Sequence, residues 1–169
     1  MKTAQGLTVL LVYLASAASG LGAEPAATVL VEAESSRVGS CTVPPSLWAA
    51  MRAARRIEVT APTQARIGYL LRAYEDITAD KDRLDAILAG LVRLQGHDRV
   101  ETWRGYARDG ALRPLAHDLI TLHYDPRYAK QRGRDEDAEA GLGQVAATTL
   151  DQGDLERLAD RIAGMMRSA

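Results

Sequence analysis

The order of apolar patterns along the chain predicts an α/β fold, a parallel sheet with flanking helices and a helical insertion. Three observations carry this. The short apolar run Val29-Leu30-Val31 ends in polar residues and a glycine, as a buried strand of a parallel sheet does. A second run, 55–60, follows only after a helical pattern, which gives strand–helix–strand order. A third, 144–148, follows a long stretch of helical periodicity and precedes a final helix.

The first strand spans Thr28 to Ala33. Pro44-Pro45 opens a helix to Arg52, since proline suits a first turn, and Leu47, Trp48 and Met51 share one face. Arg55 to Thr60 is the second strand. Pro62 opens a helix to about Tyr74, with Ile67, Leu70, Leu71 and Tyr74 at i, i+3, i+4 and i+7. Asp80 caps the next helix, whose stripe is Leu84, Ile87, Leu88 and Leu91, and Gly96 stops it. Helices from His97 to Asp109 and from Leu112 to Leu122 complete the insertion. Gln144 to Thr148 is the third strand. Asp151 caps the last helix, with Leu155, Leu158, Ala159 and Ile162 facing inward.

With 169 residues, 47% of them hydrophobic, the chain has the length and composition of one domain with a real core. Phe is absent and there are two Trp, so the core is built from Leu, Ala, Val and Ile. A formal net charge of −1 gives no global attraction to nucleic acid. The lone Cys41 excludes an intramolecular disulfide and reads as a small semi-buried apolar residue. Residues 1–23 form a separate leader. Its apolar run 7–14 and the small residues after it have the outline of a signal peptide, or of an apolar helix beside the Val29 strand. The run is too short to span a membrane.

Polar residues at the carboxyl end of a sheet strand sit where open α/β sheets bind ligands. Glu32, Glu34, Ser35 and Arg37 are therefore either a site edge or ordinary strand-end residues. Glu32 and Glu34 share a face, suited to a cation or a basic group, or to pairing with Arg37 or Arg66. Arg127, Lys130, Arg132 and Arg134 form a basic cluster of the density that clamps phosphates, with Tyr124 and Tyr128 beside it. The acidic residues 135–139 just beyond allow a solvated helix end instead. No clustering of His, Cys and carboxylates has metal-ligand spacing, so no metal is expected. No Gly-x-x-x-x-Gly-Lys-Ser/Thr motif is present.

The stretch Val29 to Pro45, with its Val-Glu-Ala-Glu-Ser, Arg37, Val38-Gly39 and Pro44-Pro45, resembles the signature of bacterial tRNA 2-selenouridine synthases. The resemblance continues through Leu47-Trp48, Met51-Arg52, Ile57 to Pro62, Ala65-Arg66, Leu70 to Tyr74, and His123-Tyr124-Asp125-Pro126-Arg127-Tyr128. It runs from about Val29 to Ile162. It implies that residues 24–169 are the carboxyl-terminal part of a P-loop-NTPase-like domain, truncated and without the family's rhodanese-like domain. It also implies an enzyme that exchanges the sulfur of 2-thiouridine in tRNA for selenium, using selenophosphate and geranyl diphosphate. Cys41 does not match the family's catalytic cysteine. The expected substrate and phosphate contacts are Glu34, Ser35, Arg37, Arg66, His123 and Arg127, with no catalytic residue and no cofactor held by this chain alone. The expected partners are 2-thiouridine tRNA and a polypeptide supplying the rhodanese and P-loop parts, in the cytoplasm and away from membranes. A tRNA- or partner-binding module and an inactive remnant are the alternatives. A missing P-loop strand exposes a sheet edge that invites dimers.

Overall fold

A computed structural model describes residues 9–14, 29–32, 36–38, 40–132 and 143–168. Six strands are described: β1 (Val9–Leu14), β2 (Val29–Glu32), β3 (Arg37–Val38), β4 (Cys41–Thr42), β5 (Arg56–Thr60) and β6 (Gly143–Ala146). The helices are α1 (Pro45–Ala53), α2 (Thr63–Ala73), α3 (Glu75–Ala79), α4 (Lys81–Ala89), α5 (Val92–Gln95), α6 (His97–Arg108), α7 (Leu112–Asp118), α8 (Asp125–Arg132) and α9 (Gln152–Arg167). A π-helix, Leu119–Tyr124, joins α7 to α8.

The main sheet has the order β2-β1-β5-β6. β5 and β6 are parallel, with Ile57 opposite Gly143 and Thr60 opposite Ala146. β1 is antiparallel to both of its neighbours, pairing Leu14 with Val29 and Val9 with Val59. β2, β5 and β6 therefore share one direction, as the sequence predicts, but the sheet is mixed rather than parallel. The central reversed strand falls in the leader that reads as an apolar helix or a signal-like segment. A six-residue apolar run fits a buried strand as well as a helix, and Val and Tyr favour the strand.

Alternation along the strands builds two layers of packing. Ile57, Val59 and Val145 are buried against Ile162, with Leu30, Leu158, Met165 and Met166 around them, so α9 covers one face. Val31 points the other way and packs with Met51 and Trp48 of α1. The first residue of β6 is glycine for two reasons. The main one is the Gly143 φ of 137°; a Cβ there would also lie 2.9 Å from the Met165 methyl, which as the end of a flexible side chain could move aside. The α9 stripe departs from expectation at Ala159, which is exposed, while Asp154 is buried. Leu47 of α1 is likewise exposed, and so is Cys41, since β3 and β4 form a separate two-stranded hairpin away from the core.

The Asp154 carboxylate closes the β6–α9 connection. Its Oδ2 accepts the backbone N–H groups of Thr148, Thr149 and Leu150 at 2.7, 2.9 and 3.0 Å. Successive N–H groups form such a nest when one residue turns left-handed, and Leu150 has φ 55°. These bonds favour the charged form and pull the Asp154 pKa down to about 2. Asp151 caps α9 as expected, accepting the Asp154 N–H at 2.8 Å. Arg72 of α2 donates to the Leu150 carbonyl at 2.8 Å, tying this loop to the next layer.

The insertion has its own core of Leu84, Leu88, Val100, Trp103, Ala107 and Leu115. The helix expected from Asp80 to Gly96 breaks after Ala89 into α4 and α5, and Asp80 caps α4 by accepting the Arg83 N–H at 3.0 Å. On the surface of this core, Arg104 forks the Asp85 carboxylate with two 2.6 Å bonds. That pairing lowers the Asp85 pKa and raises that of Arg104. Ile67 of α2 packs with Ala116 and Ile120, so α2 joins sheet and insertion.

Candidate functional site

The site forms where α2 meets the end of the insertion. Arg66 lies in the first turn of α2, directly after the β5 strand end, and is only 2% exposed. Its Nη2 donates to Asp125 Oδ1 at 2.6 Å and its Nη1 to Oδ2 at 3.1 Å, a fork between residues 59 apart in sequence. Arg66 Nε is buried without a partner among the described residues. Two stretches that carry the resemblance, Ala65-Arg66 and His123 to Tyr128, are thus one structural unit. The pair also corrects the expectation for Arg66. Its forked face is taken by Asp125, so within this structure it holds α8 against α2 rather than presenting those N–H groups to a phosphate.

The π-helix sets the neighbouring residues. The Asp125 N–H bonds the Ile120 carbonyl five residues back, the mark of a π-turn, and such turns are frequent at functional sites. His123 is turned inward, 5% exposed, with its ring edge-on to Tyr124 at 4.9 Å between centroids. Its Nδ1 lies 2.9 Å from Gln95 Nε2. Gln95 is the last residue of α5, which stops at Gly96 with φ 82°, a left-handed conformation that glycine adopts without strain. Burial, and then the positive charge of Arg127, push the His123 pKa down, so the ring is neutral near pH 7. Arg127 itself is exposed on the first turns of α8.

His123 and Tyr124 help line an apolar groove of about 210 Å³ between α2, α3, α4 and α7. Its walls include Leu70, Leu71, Ile77, Ile87, Leu88 and Leu119. Ile87, expected in the buried stripe of its helix, is instead exposed at the groove. An engineered apolar cavity of about 150 Å³ holds benzene, so this groove has room for a larger hydrocarbon. Ligand pockets are of this kind, mostly apolar with a few fixed polar groups.

The other expected contacts are elsewhere. Arg37 is exposed on the β3–β4 hairpin. Glu34, Ser35 and Arg134 lie outside the described residues, and Lys130 and Arg132 fall in the last turn of α8. Asp125, Gln95 and the groove leucines are not among the site residues that the sequence suggests. The Tyr-Asp-Pro motif was a signal for Asp125. Gln95 gave none, because its partner is 28 residues away. Among the described residues no group of three or more His, Cys, Asp or Glu is placed to hold a metal. Among them, too, no helix is long and apolar enough to cross a membrane.

No curated protein and no solved structure matches the chain. A family model does, that of the tRNA 2-selenouridine synthase AAA domain, over residues 13–93. The match takes in the main-sheet strands β2 and β5, Arg66 and the α2–α4 walls of the groove, while His123 and Arg127 lie beyond it. Over residues 13–93, just under half of its length, the chain is therefore similar to the tRNA 2-selenouridine synthase AAA domain.

Proposed function

We propose that the chain serves in converting 2-thiouridine to 2-selenouridine in tRNA, as the later part of a P-loop-like domain that binds substrate. The observation that carries this reading is the union of the family match with the Arg66–Asp125 fork, which brings His123 and Arg127 to the matched region. In the family's chemistry, alkylation turns the thiouridine sulfur into a leaving group and a selenium nucleophile displaces it. The residues present suit one part of that task. The apolar groove suits the geranyl chain, and His123 in its lining, with the charge of Arg127 close enough to act on that ring, suits the diphosphate. The chemistry of selenophosphate belongs to a P-loop and a catalytic cysteine, neither of which this sequence holds. Another segment or a partner polypeptide supplies them, and the cytoplasm is the compartment where tRNA is modified.

The test is binding of the purified chain to 2-thiouridine tRNA at low and moderate salt. Submicromolar affinity that falls steeply with salt is expected, because basic residues displacing counterions from phosphates give that slope. Arg127→Ala weakens binding and flattens the slope by about one unit. No binding at low salt refutes the tRNA reading.

A further inference from the structure

The hydrogen bonds behind His123 decide which of its nitrogens carries the proton. Arg99 Nη1, which only donates, lies 2.7 Å from Gln95 Oε1. That contact fixes the orientation of the Gln95 amide, with its oxygen toward Arg99 and its NH₂ toward His123. Gln95 therefore donates to His123 Nδ1 at 2.9 Å, and Nδ1 is the bare, accepting nitrogen. In a neutral imidazole the proton is then on Nε2. That Nε2 has no hydrogen-bond partner among the described residues, and the residue lines the groove.

We infer that Arg99 and Gln95 are positioning residues that lock His123 as its Nε2–H tautomer, making it a fixed hydrogen-bond donor for the acceptor-bearing head of a ligand whose apolar chain fills the groove. The inference rests on the groove being a ligand site. It adds to that reading the direction of the hydrogen bond and the residues that set it. A donor without charge suits this place, because an imidazolium in an apolar wall beside Arg127 is disfavoured. The ligand class is a hydrocarbon chain ending in an anionic or carbonyl-like acceptor. The groove supplies area, the Nε2–H supplies direction, and Arg127 supplies the opposite charge.

The experiment uses the whole chain and decyl phosphate as the probe. In nitrogen-15 spectra of the imidazole rings, His123 is expected as the neutral Nε2–H tautomer. Gln95→Glu replaces the donor by a carboxylate and moves the proton to Nδ1, with a raised pKa. Decyl phosphate binding is expected to weaken about tenfold in His123→Leu, as losing a hydrogen bond to a charged group does. It is expected to stay within about threefold in His123→Gln, which keeps an N–H donor in reach. An Nδ1–H signal in the wild type overturns the lock. Equal affinity in the wild type and His123→Leu overturns the donor role and leaves the groove standing. No decyl phosphate binding by the wild type refutes the groove as a ligand site, and the inference with it. Decyl phosphate affinity says nothing of tRNA, so the tRNA reading stands or falls separately.

Discussion

Two charged side chains are buried among the described residues, Asp154 and Arg66, and they are neutralised in different ways. Asp154 meets three backbone N–H groups from residues four to six positions before it. Arg66 and Asp125 meet each other across 59 residues. The first arrangement is local. It orders one loop and starts one helix, and the loop can exchange its bonds for water when the carboxylate is lost. The second is an agreement between two separate elements, with Arg66 only 2% exposed and Asp125 19% exposed. Local charge trapping sets the shape of a connection, while the distant pair fixes how insertion and sheet layer dock.

The sharpest way to break that contrast is Asp125→Ala. It leaves the Arg66 guanidinium buried and unpaired, a loss of about 3–5 kcal/mol. The midpoint of urea unfolding measures this, and the double variant Arg66→Met with Asp125→Leu is expected to regain most of it. An unchanged midpoint for the single variant would show that the fork does not hold the layers. Asp154→Asn has the smaller effect, and its signature is pH. The Asp154 pKa is depressed to about 2 from an ordinary 3.8. Its stabilisation is therefore complete above the ordinary value and disappears as pH falls toward about 2. The stability gap between wild type and Asp154→Asn is expected to be widest near neutrality and to close in acid. A gap independent of pH contradicts the nest. Asp80→Ala is the mildest change, removing only the α4 cap at about 1 kcal/mol, read from thermal unfolding.

Legibility in the sequence follows the same division. Asp80 and Asp151 are readable as caps because an N-cap bond joins residues three apart. The three strands of common direction are readable because each is a short segment with β-branched residues set between helical patterns, with Ile57 and Val59 buried in β5 and Val145 in β6. The reversed strand β1 was not, since periodicity cannot separate a six-residue apolar strand from a helix. The break of α4 from α5 leaves no proline, and the groove arises from leucines that look like ordinary stripe residues. Arg66 and His123 were visible as candidates. That Asp125 and Gln95 would occupy their polar atoms is a property of tertiary packing, which no local spacing encodes.

The π-helix between α7 and α8 acts as a phase shift. An α-helix advances its side chains by about 100° per residue, and a π-turn holds one residue more than an α-turn. The stretch 112–132 is therefore a helix whose second half is out of step with its first. Deleting one residue within Leu119–Tyr124 would remove the extra residue of the π-turn, and everything beyond would rotate by roughly a quarter turn. Asp125 would swing off Arg66 with its side chain chemically unchanged. In this protein the count of residues between Ile120 and Asp125 is as much a determinant of the site as their identities.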